Sequence, residues 1–374
     1  MRGVAAIAGI GESESWDVGG SRLTALDLIG QATAAALEDS GLRLDEVDGL
    51  FTASAYYGMP GLNVAEYLQI RPRYSDSTNL GGASFVSHLQ HAAAAIGAGL
   101  CDVALIAYGS TQRADGGRLK SVAEAFELEA PYRPRYPISQ FALAAARHMH
   151  EFGTTREQLA AVAVAAREWA RLNDRAFARD PLTVDDVLGA RMISTPLTAR
   201  DACLVTDGAG ALLVTSAERA ASLRRPPAVL LGGGEAHWHR NISQMPDLVR
   251  TAATESCARA YARARVGPGD VGAVEVYDAF TICTILFLED LGLCPKGEGG
   301  AFVSDGRIAP GGELPVNTNG GGLSYCHPGM YGIFLLVEAV RRIRGGDDVV
   351  VAHGNGAVLS AQSTVVLGSE AAAA

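Results

Sequence analysis

A glycine-rich stretch occurs twice in this chain, and the repetition narrows the folds open to it. Thr318-Asn319-Gly320-Gly321-Gly322-Leu323-Ser324-Tyr325 is echoed by Thr78-Asn79-Leu80-Gly81-Gly82-Ala83-Ser84-Phe85, and each copy precedes a helix-like segment. A second pair lies upstream in the same order: Val47-Asp48-Gly49-Leu50-Phe51-Thr52 against Val276-Tyr277-Asp278-Ala279-Phe280-Thr281. Short glycine-rich matches arise by chance, but two pairs in one order imply a duplicated unit. The expectation is two similar halves facing each other across a site.

The later copy lies in a longer stretch, Val316 to Gly329. Its glycines let backbone pass close to a ligand, because no Cβ intervenes. Pro328 suits the first turn of the helix expected over Tyr331 to Ile343, where a missing N–H costs nothing. The free N–H groups of such a turn make an anion or oxyanion site. Tyr325 and His327 supply the titratable pair that acid–base chemistry needs.

Strand and helix patterns alternate through both halves. Residues 3–10, 47–54 and 102–108 read as buried strands, and Leu23 to Leu37 as a helix. His88 to Ala98 is alanine-rich on all faces, which suits a helix buried between layers. Continuous apolar strands alternating with helices point to α/β with a parallel-rich sheet. Between Gly109 and Pro196 charged residues, aromatics and prolines rise, the mark of an insertion folded over the core. Its Arg113, Arg118, Lys120, Arg133 and Arg135 suit either a phosphorylated ligand or a solvated face. The strand 209–215 returns to the core, and Pro226-Pro227 marks the junction. Strands near 228–233, 273–277, 348–353 and 363–367 and helices over 247–263 and 281–291 then repeat the pattern. The expected organisation is one half over 1–225, with an insertion at 109–196, and a second half over 226–374.

The net charge of −10 offers no electrostatic footprint for nucleic acid or an anionic membrane. No apolar run is long enough to span a bilayer, and the N-terminus reads as a first buried strand rather than a secretion signal. Six scattered cysteines form no CxxC pair, so neither a zinc ribbon nor a disulfide framework is expected, and the reading is a reduced, cytoplasmic protein. His148/His150 and His237/His239 point apart on a helix with no completing ligand set, so they read as packing or surface residues, and no metal is expected.

Ser194-Thr195-Pro196-Leu197, the run Asp201 to Leu212, and Gly320-Gly321-Gly322 with His327-Pro328 resemble the thiolase superfamily, in particular its sterol-carrier-protein-x branch. The likeness covers nearly the full length. It implies two pseudo-symmetric halves in a five-layer α-β-α-β-α fold, a loop domain covering coenzyme A, and a homodimer. The departures from the family are as informative. The position of the thiolase nucleophilic cysteine falls on Gly82, and the second reactive cysteine would fall near Ala352-His353-Gly354-Asn355-Gly356, where there is none. Tyr277 replaces the asparagine of the family's Asn-Glu-Ala-Phe motif, and Gly-His-Pro survives as Cys326-His327-Pro328.

Acyl transfer through a thioester needs a thiolate. An oxyanion hole of His327 with the N–H groups around Gly82, Gly321 and Gly322 still stabilises an acyl-CoA enolate, at about 3–4 kcal/mol per donor. Enolate stabilisation without a nucleophile suits retro-aldol chemistry, and Gly82 would free volume for a bulky β-hydroxyacyl group. The set of changes resembles the lipid-transfer-protein-type aldolases of steroid side-chain degradation. That resemblance implies cleavage of a 17-hydroxy steroid CoA thioester to a 17-ketosteroid and propionyl-CoA. It also implies a small OB-fold partner, often with a zinc ribbon, coenzyme A only as part of the substrate, and no other cofactor. By the same resemblance Tyr277 and Tyr325 take the catalytic tyrosine positions, one as base and one as acid, with His327 on the thioester oxygen. Asp278 could orient Tyr277 or His327, or serve structure alone. His353 lies where the family keeps its second reactive group, and His88 and His91 read as helix packing. The alternatives are a thiolase-like acyltransferase with another nucleophile and a non-catalytic subunit that scaffolds a partner.

Overall fold

The computed structural model describes residues 2–19, 22–115 and 127–374. Its strands are β1 (Ala5–Glu12), β2 (Gly49–Thr52), β3 (Tyr74–Asp76), β4 (Val103–Ser110), β5 (Met192–Ser194), β6 (Leu197–Thr198), β7 (Gly208–Ser216), β8 (Ala228–His237), β9 (Ala273–Val276), β10 (Val349–Gly356) and β11 (Ala361–Gly368). β5 and β6 pair with each other; the other nine form one sheet in the order β3-β2-β4-β7-β1-β8-β11-β10-β9.

That order repeats when read outward from the β1–β8 seam. One side runs β1, β7, β4, β2 and the other β8, β11, β10, β9. The pairing senses repeat as well: β1–β7, β4–β7, β8–β11 and β10–β11 are antiparallel, whereas β2–β4 and β9–β10 are parallel. The sheet topology is therefore duplicated, with β3 added at one edge, although the upstream sequence echo is out of register with it: Val47 precedes β2, whereas Val276 ends β9. The expected parallel-rich sheet is not what forms, since five of the eight pairings are antiparallel. β10 and β11 are joined by residues 357–360 alone, too few for the crossover that a parallel pair requires.

The layers follow from which helices are buried along most of their length. The helices Ser84–Gly97 and Gly332–Arg344 pack against strands of both halves and lie between them. The helix Ala25–Ser40 covers β1, β7 and β4, and Ala253–Ala264 covers β8 and β11. The result is the five-layer α-β-α-β-α arrangement. The outer helix Ala25–Ser40 starts on a capping box: Thr24 accepts the N–H of Asp27, whose carboxylate accepts the Thr24 N–H in return.

The first glycine turn, Gly81–Ala83, runs straight into its helix, which begins four residues earlier than the alanine pattern suggested. The second, Gly321–Tyr325, does not. Pro328 is not in the first helical turn as expected, because the helix starts only at Gly332. The intervening segment, Cys326 to Tyr331, carries His327 into the space between the halves.

Residues 138–171 supply two amphipathic helices, and Phe141, Leu159 and Val162 join the apolar cluster of Ile285 and Leu286. Arg167 of the second helix is buried and donates to Ser324 Oγ at 3.0 Å, so this region braces the second glycine turn. Arg113 lies 3.3 Å from Asp17 and over the Phe177 ring, while Arg133 and Arg135 are exposed. Arg118 and Lys120 lie outside the described residues.

Candidate active site

Tyr277 follows β9, and its N–H donates to the His353 carbonyl of β10 at 3.0 Å. Its phenol meets three groups: the His327 Nε2 at 2.9 Å, the Gly329 carbonyl at 3.2 Å, and the Tyr331 N–H, which donates to it at 3.2 Å. The Tyr277 ring stands edge-on to both His327 and Tyr331, and His327 stacks on Tyr331. The His327 main-chain N–H donates to Thr206 Oγ1 at 3.0 Å. Tyr277 and His327 are both more than nine-tenths buried. Burial takes the imidazole down to about 4 and pushes the phenol well up, so at neutral pH the pair is uncharged.

The proton arithmetic of this pair leaves one nitrogen over. Gly329 O can only accept and Tyr331 N–H can only donate. If the phenol hydrogen goes to Gly329 O, the imidazole donates from Nε2 and Nδ1 is a bare lone pair. If it goes to Nε2, Nδ1 carries the hydrogen. In both tautomers Nδ1 is buried and without a partner among the described residues. An unsatisfied buried polar atom costs about 1–3 kcal/mol, a penalty that a ligand can relieve.

Gly82 does not leave room for an acyl group, contrary to expectation. A Cβ built on it would overlap Tyr277 Cε2 and come within 2.6 Å of Cζ and 2.7 Å of the Asn355 carbonyl oxygen. The space that a side chain at position 82 would need is filled by the Tyr277 ring.

The oxyanion role expected of the second glycine turn also changes. The N–H groups of Gly322 and Leu323 donate to the Asp278 carboxylate at 2.6 and 3.2 Å, and Gly321 N–H donates to Asn319 Oδ1 at 2.8 Å. Asp278 thus fixes the turn rather than orienting Tyr277 or His327. Burial raises its carboxyl to about 7, opposed by those same backbone donors.

Tyr325 is fully buried, and its hydroxyl points away from the pair. It donates to Glu12 Oε2 at 2.8 Å, an oxygen that also accepts from Arg341 at 2.6 Å. Arg175 lies 3.5 Å from the same oxygen, and Trp16 meets the Tyr325 ring edge-on. Burial pushes the Tyr325 phenol well up, with Glu12 adding to the effect. Sequence reasoning missed Glu12; its one signal was an acidic residue closing an otherwise apolar strand.

His353 is not brought to the Tyr277–His327 pair. Its nitrogens meet Thr364 Oγ1 at 2.8 Å and Gln362 Oε1 at 2.9 Å, and its ring packs on Phe287. His148 lies between Thr154 and Glu289 inside the core. No cysteine is paired, and burial raises the thiols of Cys203 to about 12 and of Cys326 well up. Among the described residues no group of three or more His, Cys, Asp or Glu is arranged to hold a metal ion, and no helix is long and apolar enough to cross a membrane.

Comparison with known proteins places this geometry. A family model described as thiolase C-terminal domain-like matches residues 234–369. The chain is 34% identical to a steroid side-chain-cleaving aldolase of Thermomonospora curvata, covering 99% of both chains. It is 34% identical to the 17-hydroxy-3-oxo-4-pregnene-20-carboxyl-CoA lyase of Mycobacterium tuberculosis over 92% of each, and 33% identical to an acetyl-CoA acetyltransferase of Methanothermobacter thermautotrophicus over 92% of each. The solved Ltp2-ChsH2(DUF35) aldolase superposes with a TM-score of 0.89 at 30% identity, covering 99% of this chain and 98% of that one. The chain belongs to the thiolase superfamily, in the branch that holds the steroid side-chain-cleaving aldolases.

Proposed function

We propose that this protein is a carbon–carbon lyase that cleaves a β-hydroxyacyl-CoA by retro-aldol reaction, with a 17-hydroxy-3-oxo-pregnene-20-carboxyl-CoA as the substrate type. The β-hydroxyl passes its proton to Tyr325 as that phenol's own hydrogen moves to Glu12, the Cα–Cβ bond breaks, and its electron pair passes into the thioester enolate. Return of that proton from the Tyr325–Glu12 pair to the enolate carbon gives propionyl-CoA, and the other product is the 17-ketosteroid. The observation that carries the reading is the Tyr277 phenol seated against Gly82, where a thiolase would need its nucleophile. Identity alone does not separate lyase from acyltransferase, since relatives of both kinds stand at 33–34%. The missing thiol does, because covalent acyl transfer has no group to start on.

His327 is the donor we assign to the thioester oxygen, through Nδ1–H, with Tyr277 holding that tautomer by donating to Nε2. Tyr325 is assigned to proton transfer, with Glu12 as the acceptor of its own hydrogen. The assignment of Tyr325 to the same substrate as Tyr277 rests on both flanking the Cys326–Tyr331 segment. Residues 109–196 are the proposed cover over coenzyme A, and 1–225 and 226–374 the two halves. A DUF35-type OB-fold partner, suggested by the Ltp2-ChsH2(DUF35) aldolase, and a homodimer complete the proposed assembly. We place it in the cytoplasm, within steroid or cholesterol catabolism.

The test is turnover of 17-hydroxy-3-oxo-4-pregnene-20-carboxyl-CoA, read as released ketosteroid and propionyl-CoA, with and without a DUF35 protein. Tyr277→Phe is expected to lower kcat by roughly 10²–10⁴ while the protein stays folded. Normal turnover by that variant removes the tyrosine from the reaction. An acyl-enzyme adduct trapped on the chain would instead favour the acyltransferase.

A further inference from the structure

We infer that Gly82 is a positioning residue: its missing side chain is what seats the Tyr277 phenol against His327. The inference rests on the reading of Tyr277 given above and extends it to a residue that acts through the side chain it lacks.

The geometry is that of two side chains competing for one volume. The Tyr277 ring is held by His327 and Tyr331 edge-on, and its hydroxyl by three partners at 2.9 to 3.2 Å. Gly82 forms the remaining wall. With a Cβ there, Cζ must retreat from 2.6 Å to the 3.4 Å of an ordinary van der Waals contact, a shift of 0.8 Å, and Cε2 further still. Cζ carries the hydroxyl, so the oxygen moves with it. A shift of that size breaks hydrogen bonds of 2.9 to 3.2 Å, frees the tautomer of His327, and turns Nδ1 off its line. Misplacement of a reacting group by about 1 Å costs roughly 10²-fold in rate.

The wall has little capacity to yield. Gly82 O packs against the first residue of the opposite inner helix, Gly332, where a Cβ would overlap it. Asn355 O closes the third side at 2.7 Å from the built Cβ. The turn cannot back away without separating the two inner helices, so the tyrosine has to move. A side chain at 82 and a tyrosine at 277 therefore exclude each other, and loss of the nucleophile and gain of the phenol are one structural change.

Gly82→Ala, Tyr277→Phe, Tyr277→Ala and the double Gly82→Ala/Tyr277→Ala test this in the full chain, assayed on 17-hydroxy-3-oxo-4-pregnene-20-carboxyl-CoA with its DUF35 partner. Gly82→Ala is expected to lose roughly 10²-fold in kcat with KM little changed, a split that general loosening of the fold would not give. Its thermal midpoint should fall in the native background and fall much less in the Tyr277→Ala background, with Asn355 O accounting for what remains. Normal kcat in Gly82→Ala beside a dead Tyr277→Phe overturns the inference and leaves the proposed function standing. Normal kcat in Tyr277→Phe overturns both. Should Gly82→Ala fail to fold, recovery of the fold in the double variant supports the competition for space, and failure there overturns it.

Discussion

Glu12 is the residue on which the Tyr325 hydroxyl depends, and it closes the first strand while Tyr325 lies 313 positions later. Its buried carboxylate also takes Arg341, with Arg175 beside it. Glu12→Gln keeps an acceptor for the phenol but strips the arginines of their counter-charge. About 2 kcal/mol of unfolding free energy should be lost, as for a hydrogen bond to a charged group, measurable by urea titration. Turnover should fall with it if Tyr325 passes its hydrogen to this carboxylate. Unchanged turnover would confine Glu12 and Tyr325 to the core. A pattern read from spacing cannot find such a partner, because nothing local in the sequence ties the ends of the chain together. The same holds for Asp278, whose grip on Gly322 N–H spans 44 residues and removed the expected oxyanion donors. Spacing joined Tyr325 to His327, and the structure instead sets His327 against Tyr277, a residue that the family resemblance singled out.

At the scale of elements, the inner helix Ser84–Gly97 ties the halves through an ionic contact as well as through packing. His91 meets Asp76 of β3 at 2.6 Å and Glu235 of β8 at 3.3 Å, and chiefly through Glu235 its imidazole is raised to about 8. His88 on the same helix feels the same two carboxylates, but burial outweighs them and takes it down to about 4. A raised histidine stabilises fully below its unfolded value near 6.5, and that contribution is lost as pH rises through about 8. The part-exposed ring limits it to roughly 1 kcal/mol. Asp278 acts in the same direction at lower pH, because its raised carboxyl makes folding less favourable as pH climbs towards about 7. The buried neutral histidines His88, His327 and His353 add stability as pH rises through about 6.5 and offset this below about pH 7. Stability should therefore decline from about pH 7 to 9, and His91→Gln should flatten that slope; denaturant midpoints at each pH decide it. His91 was read from the sequence as a packing residue, since its carboxylates come from two distant strands. The elements themselves were legible because apolar runs set strands and alanine-rich faces set inner helices. Strand direction was not, because a run of buried residues looks alike in parallel and antiparallel pairs.

Across the whole molecule, the contacts that join the two halves include the β1–β8 seam, the inner helices, and the contact of Gly82 O with Gly332. The last lies between the first glycine turn and the inner helix of the other half, so it reports on whether the halves stand or fall together. Gly332→Ala puts a methyl into the Gly82 carbonyl. Helix propensity alone would make that change favourable by up to about 1 kcal/mol. Overpacking against backbone costs about 1–3 kcal/mol and should win, because a carbonyl in a buried turn cannot rotate away as a side chain can. The inner helices pack on both halves of the nine-stranded sheet, so the loss should appear as one cooperative transition at lower denaturant. The same shift should follow β1 and β9 amides in hydrogen exchange. If only the β8–β11 half opened earlier while β1 kept its protection, the halves would be separate folding units. The close approach of the first turn to the opposite inner helix would then be a docking contact rather than the centre of one core.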